Sequence, residues 1–420
     1  MRGLSGRATP DILPSEVYSV MQLYEINEPL LPNLTTLDLW AIRESFIQFI
    51  PLFLSPTITS INFIFSEPGL PTSVLASMIT NLQMPCPNLQ EIKLSFLPRD
   101  SMITAAVSRL FFATNRNALQ VFRVDSPLTE EADEVLYKSQ NLRSLSVVIK
   151  KGTSIPSALL PNLTRLRIKC EDGSDGLQPL RGATFGKLES VIFDIESRPT
   201  NDFLEAFKDA ALSSSIQDTL STIYLSAAWP WNPNYSSLLP FTQLVELDIR
   251  PSCDDGCSSV DDDIIIDLSR AMPKLEYLTL GDKPCHPFAG GVTAKGLMAL
   301  SYNCPNLSFL CVHFQVASLS DPPTGLETTR DVRRSVSCAL TDLEVGEIPM
   351  PEESVLVVAL TLLRIFPRIE TFSYIDDGWE KVEDMIRRSN QIVDCSSKYY
   401  HPTIPRNSTL TFLRSRTYDR

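Results

Sequence analysis

The chain has 420 residues, 43% of them hydrophobic and 21% charged, a balance that excludes an unfolded polar chain and predicts a packed protein. A formal net charge of -13 argues against nonspecific nucleic-acid binding, which depends on neutralising phosphates. The 31 prolines outnumber the 16 glycines, which predicts many rigid breaks between elements rather than flexible linkers.

Nine cysteines are scattered along the chain, an odd number with no dense framework, and they read as free, mostly buried thiols in a reducing compartment. Met1 to Pro10 contain no apolar run of signal-peptide length, and no stretch approaches the roughly 18 apolar residues of a membrane span. The expectation is an intracellular protein, cytoplasmic or nuclear, with no membrane partner. Asn33-Leu34-Thr35 and Asn162-Leu163-Thr164 match the glycan acceptor triplet but read as coincidence.

Residues 1–30 read as an N-terminal cap segment, with a helix over Val17 to Tyr24. From residue 31 a pattern L-x-x-L-x-L begins, often led by Pro-x-Leu. Its first copy is Leu34, Leu37 and Leu39 after Pro32. Ile58 (with Ile61 and Phe63), Leu89, Leu119, Leu142, Leu163, Leu188, Leu220, Leu244, Leu275, Leu307, Leu340 and Ile369 open twelve more copies. The steps between copies run from 21 to 33 residues, close to the period of leucine-rich repeats. The last two positions of each triplet alternate as on a strand buried on one face.

Helical spacing fills the longer steps: Leu70 to Leu82, Ser101 to Thr114, Thr129 to Ser139, Asn201 to Leu212, Asp261 to Met272 and Glu352 to Phe366. Thr129, Asn201 and Asp261 read as their N-caps where they stand first. The short steps from 142 to 163 and from 163 to 188 read as returns through loops. The predicted fold is therefore α/β: a leucine-rich-repeat solenoid, or horseshoe, over residues 31–376 with about 13 irregular repeats, a parallel sheet on the concave face and helices or loops on the convex face. A capping helix over 377–396, with Trp379, Val382 and Ile386 on one side, and a tail over 397–420 complete the chain.

The stretch Val292 to Val312 is the best-preserved unit. Its Val292-Thr293, Gly296-Leu297, Leu300 and Cys304-Pro305-Asn306-Leu307 resemble the cysteine-containing leucine-rich repeat of F-box proteins, and Pro85-Cys86-Pro87-Asn88-Leu89 is a weaker copy. The chain is similar over roughly residues 30–390 to fungal F-box and leucine-rich-repeat-like proteins. The resemblance implies a substrate-recognition region of a ubiquitin ligase. Leu13-Pro14-Ser15-Glu16 imitates the opening of the F-box, the module that docks a cullin-ligase adaptor. The first repeat follows too soon for the whole module, so either the F-box lies upstream of Met1 or the chain is the substrate-reading half alone.

No catalytic constellation stands out, and no cofactor or metal is expected. The three histidines are His286, His313 and His401, and a nucleophile-histidine site would need one of them. Cys253, Cys257, Cys285 and His286 lack the spacing of a zinc site and read as loop thiols. Asp254, Asp255, Asp261, Asp262, Asp263 and Asp267 read as a solvated loop running into a helix whose N-terminus favours negative charge. Trp229-Pro230-Trp231 reads as packing on the solenoid edge.

The informative chemistry falls on the concave face, between the inward positions of each strand. A protein partner is expected there, at Trp40, Lys93, Arg123, Arg165, Arg167, Lys169, Tyr224, Asp248, Arg250, Tyr277, His313 and Glu344. A basic group in the first half gives way to an acidic one in the second, with Asp342 beside Glu344. Together these features predict a non-enzymatic interaction scaffold.

Overall fold

The computed structural model describes residues 29–65, 70–82, 85–115, 117–152, 158–228, 231, 233–251, 260–281, 291–320, 338–346, 348–374 and 377–400. Fifteen strands follow in chain order: β1 Thr36–Leu39, β2 Ser60–Ile64, β3 Glu91–Ser95, β4 Val121–Val124, β5 Ser144–Ile149, β6 Ala158–Leu160, β7 Arg165–Cys170, β8 Ala183–Phe185, β9 Ser190–Ile195, β10 Thr222–Ala227, β11 Glu246–Pro251, β12 Tyr277–Leu280, β13 Phe309–Val312, β14 Asp342–Gly346 and β15 Thr371–Tyr374. All but β6 and β8 form one 13-stranded parallel sheet in sequence order. Each strand of that sheet carries one copy of the L-x-x-L-x-L pattern.

Register explains why the pattern is kept. The middle position of each copy stacks on its neighbours, running Leu37, Ile61, Ile92, Phe122, Leu145, Leu166, Val191, Ile223, Leu247, Leu278, Leu310, Leu343 and Phe372 across the sheet. Every one of these side chains is buried, as is the first position of every copy. Helices cover this inward face. Phe111 of the helix Ser101–Ala113 meets Phe122 of β4 at 5.3 Å, and Phe203 and Phe207 of the helix Phe203–Ser213 meet Phe193 of β9 at 5.5 and 5.7 Å. No single repeat could bury its apolar face, so stability accrues across repeat interfaces.

The Pro-Asn-Leu punctuation has two causes. Proline biases the residue before it away from the helical region. Met272, Cys304 and Phe366, each before a proline, end their helices at φ/ψ of -124/64, -115/74 and -127/79 degrees, and each is fully buried. Asparagine then ties one repeat to the last. The side-chain amides of Asn88, Asn141 and Asn162 donate to the carbonyls of Pro56, Asn117 and Gln140 at 3.1, 2.7 and 3.0 Å. Each acceptor holds the proline place of the preceding copy. Cys304 extends the same logic, its Sγ lying 3.5 Å from the Met272 carbonyl. Burial, reinforced by Cys338, pushes its thiol up to about 12, so it is a structural group and not a ready nucleophile.

The structure departs from the sequence reading in two places. The short steps are not plain loops: β6 and β8 pair as a second, two-stranded parallel sheet, and short helices occupy Gly173–Gly176 and Gln178–Gly182. Of the three expected N-caps only Asp261 caps with its side chain, accepting from Ile264 N at 2.9 Å. Thr129 makes no side-chain cap, and Asp202 rather than Asn201 precedes the helix Phe203–Ser213. At the C-terminal end the helix Gly378–Tyr400 lays Trp379, Val382 and Ile386 into the core.

One carboxylate is placed at a cost. Asp133, in the helix Glu130–Leu136, is pushed up to about 6, chiefly by burial, with Lys150 opposing and Glu130 adding to the rise. Its folded pKa lies above its unfolded value, so the native state binds the extra proton. Its penalty is absent below about pH 4, grows as pH rises towards 6 and is complete above that. Asp133→Asn is therefore expected to raise stability at pH 7 by about 1–2 kcal/mol, allowing for partial exposure, and to do nothing near pH 4. Urea unfolding at the two pH values checks this; an equal effect at both would refute it.

Candidate functional site

The other face of the sheet is open over its first half. A cleft of about 1060 Å³ runs over β1 to β5, β7, β9, β10 and the start of β11. Trp40, Lys93, Arg123, Arg165, Arg167 and Lys169 all line it. The other six expected residues do not. Register places five of them along the sheet as the sequence alternation requires, and His313 lies just past β13, but cleft and cation group both lie on the N-terminal side.

The cleft is less basic than its sequence suggests. Six cations line it, the five above without Trp40 and in addition Arg99, against five carboxylates: Asp125, Glu189, Asp194, Glu196 and Glu246. Most of the cations are already paired. Lys93 reaches Glu91 at 2.9 Å, Arg167 reaches Asp194 at 2.6 Å and Lys169 reaches Asp125 at 2.8 Å. The last bridge passes over β5, where Ser144, Ser146 and Val148 are buried beneath their neighbours. Arg99 and Glu196 form a two-bonded pair between the loops after β3 and β9.

Two guanidinium groups are left over at the centre. Arg123 Nε donates to Ser144 Oγ at 3.0 Å and bonds no carboxylate among the described residues. Burial holds its pKa below the usual arginine value, helped by Arg165 and Arg167 and opposed by Glu91. Arg165 is exposed and has no hydrogen bond or ion pair among the described residues. Ser144, Ser146, Ser190 and Thr222 stand around them in register. Guanidinium forks beside small hydroxyls form a set of donors suited to an oxyanion.

The second half of the face is closed. Asp248, Thr279 and Cys311, in register on β11, β12 and β13, are 4%, 1% and 3% exposed. Arg250 grips Asp248 through Nε and Nη2 at 2.8 and 3.0 Å and donates to the Tyr277 hydroxyl at 3.2 Å. Burial pulls the Arg250 pKa down, but the Asp248 carboxylate more than offsets this and leaves it raised. Tyr277 stacks on Phe309 with centroids 4.2 Å apart. Tyr224 and Glu344 are half-buried in the same row. His313 is half-buried beyond β13, its carbonyl accepting from Val292 N at 3.0 Å.

Sequence reasoning missed Phe96, Arg99 and Glu196, which line the cleft from the turns after β3 and β9. Phe96 carries a positive φ of 62° and is 52% exposed. Its backbone N–H donates to Asp125 Oδ2 at 3.0 Å, which fixes the unusual turn. Trp231 is buried and donates to the Thr200 carbonyl at 3.0 Å; Trp229 lies outside the described residues, as do Cys253, Cys257, Cys285 and His286. Among the described residues no group of three or more His, Cys, Asp or Glu is arranged to hold a metal, and no helix is long and apolar enough to cross a membrane. No family model matches the chain, and no curated protein matches it.

Proposed function

We propose that the chain is a non-enzymatic protein-interaction scaffold that binds its partner on the open face of the sheet. The observation that carries this reading is the cleft itself: one face of a repeat sheet is sealed by helices while the other stays open over β1 to β10. Solenoids of this kind present such a face to partners. The L-x-x-L-x-L copies and the Cys-Pro-Asn-Leu ending of the Val292 unit support a leucine-rich-repeat horseshoe resembling the substrate-reading region of an F-box protein. On that reading a cullin-ligase adaptor would join through the segment around Leu13-Pro14-Ser15-Glu16, which lies outside the described residues.

Affinity capture compared between two charge-altered forms tests the open face. Ser190→Trp together with Arg165→Glu fills and reverses the centre of the cleft, whereas Arg388→Glu alters an exposed charge on the C-terminal helix. The first is expected to lose the proteins enriched by the native chain and the second to keep them. Equal recovery by both forms would overturn the reading. Recovery of the adaptor with the native chain, lost on replacing Leu13 and Pro14, checks the ligase assignment separately.

A further inference from the structure

The geometry points to a two-point recognition site in the cleft: a compact oxyanion held by Arg123 and Arg165, and an apolar side chain of the same partner segment packed on Phe96 and Ile64. This deepens the open-face reading and rests on it.

Three observations converge. Arg165 is exposed and unpaired among the described residues, and Arg123 is half-buried with only a serine oxygen as its hydrogen-bond partner there, although four neighbouring cations have found carboxylates. The half-buried Arg123 guanidinium, left with one serine oxygen, gains from an anion that completes its donors, and the exposed Arg165 beside it is free to join in holding that anion. Phe96 is a large aromatic held exposed at the rim in a left-handed conformation that bulky residues rarely adopt, and its turn is fastened by Asp125. Ile64 lies half-buried beside it in the same cleft. Exposed aromatics and arginines are the side chains that dominate binding energy.

The sheet fixes the spacing. From β2, which carries Ile64, to β4 and β7, which carry Arg123 and Arg165, is two and four strand intervals, and register sets Ile64 two residues along the strands from the row of Arg123 and four from the row of Arg165. At about 4.8 Å per interval and about 3.3 Å per residue along a strand, the mean offsets of about 14 and 10 Å make a separation of about 17 Å, which an extended peptide at about 3.4 Å per residue spans in about five residues. The occupant is thus an extended protein segment with an apolar residue and an oxyanion about five positions apart. The oxyanion is a phosphoryl group, whose three acceptor oxygens match two guanidinium forks with the hydroxyls of Ser144 and Ser190 beside them.

Fluorescence polarisation with labelled synthetic decapeptides against the full chain tests this. One series carries leucine and phosphoserine, the other leucine and an Asp-Glu pair, with separations stepped from one to eight in a Gly-Ser background. Binding is expected to peak at a separation of about five, to weaken about tenfold or more in Arg165→Glu and about threefold or more in Phe96→Ala, and to be unchanged in Arg388→Glu. The phosphoserine series is expected to be the tighter, and a tighter Asp-Glu series overturns the phosphoryl assignment. Binding without a spacing optimum, binding indifferent to Arg165→Glu, or no binding in either series overturns the two-point site. If the double variant Ser190→Trp, Arg165→Glu still loses the native partner in those cases, the open-face reading stands without it. Circular dichroism melts of each variant confirm that it is folded.

Discussion

Trp379→Ala is expected to lower the unfolding free energy by about 3–5 kcal/mol, the usual range for deleting a buried aromatic. Trp379 is fully buried under the last strands, edge-on to Phe314 at 5.8 Å and stacked on Phe372 at 6.2 Å. Its indole N–H donates to the Ile348 carbonyl at 2.7 Å. It therefore fastens the helix Gly378–Tyr400 to the segment after β13, to β15 and to the turn after β14 at once. A repeat array is stabilised by neighbour interfaces, so the loss should be local to the C-terminal end. Hydrogen exchange should show β14 and β15 opening before β7 to β10. Trp379→Phe keeps most of the packing but strands the Ile348 carbonyl, and should cost about 1–2 kcal/mol. A uniform loss of protection along the whole sheet would contradict this account.

The scaffold was legible because its determinants are local and repeated. Thirteen copies of L-x-x-L-x-L map onto thirteen strands of the main sheet, since one strand needs inward apolar residues at alternate positions and each copy supplies them. Pro305 and Pro273 marked helix ends for a steric reason that acts on neighbouring residues alone. β6 and β8 were missed because three-residue strands show no usable period.

The cleft was only half legible. Alternation put Arg123, Arg165, Arg167 and Lys169 on one face, but which of them are free depends on partners distant in sequence. Arg99 and Glu196 are 97 residues apart, and Lys169 finds Asp125 across an intervening strand. The basic cluster seen in the sequence thereby shrinks to two guanidinium groups. The closed half of the face was illegible for the same reason: burial of Asp248 and Thr279 depends on what lies across the sheet, and outward-facing position in a strand does not report it.

The acidic run shows how much energy such non-local contacts can hold. Asp261 caps its own helix, Asp262–Ala271, and its loss should cost about 1 kcal/mol. Asp262 looks equivalent in sequence but reaches into the next repeat. Its Oδ1 accepts from Thr293 N at 2.8 Å and Gly296 N at 3.0 Å, and its Oδ2 accepts from Thr293 Oγ1 at 2.5 Å. One carboxylate thus satisfies two free N–H groups at the start of the helix Ala294–Asn303 and locks two repeats together. Asp262→Ala is expected to cost about 2–3 kcal/mol, since bonds to a charged group are the stronger kind and the partners are left partly unpaired. Gly296 belongs to the same device: a Cβ there would fall 2.6 Å from Asp262 Oδ1 and 2.6 Å from Val292 Cγ1. Gly296→Ala should therefore be destabilising alone but less than additive with Asp262→Ala, which removes one of the two clashes. Urea unfolding of the two singles and the double measures the coupling. Equal costs for Asp261→Ala and Asp262→Ala, or strict additivity in the double, would show that the carboxylate caps only its own helix and that the Val292 unit stands without it.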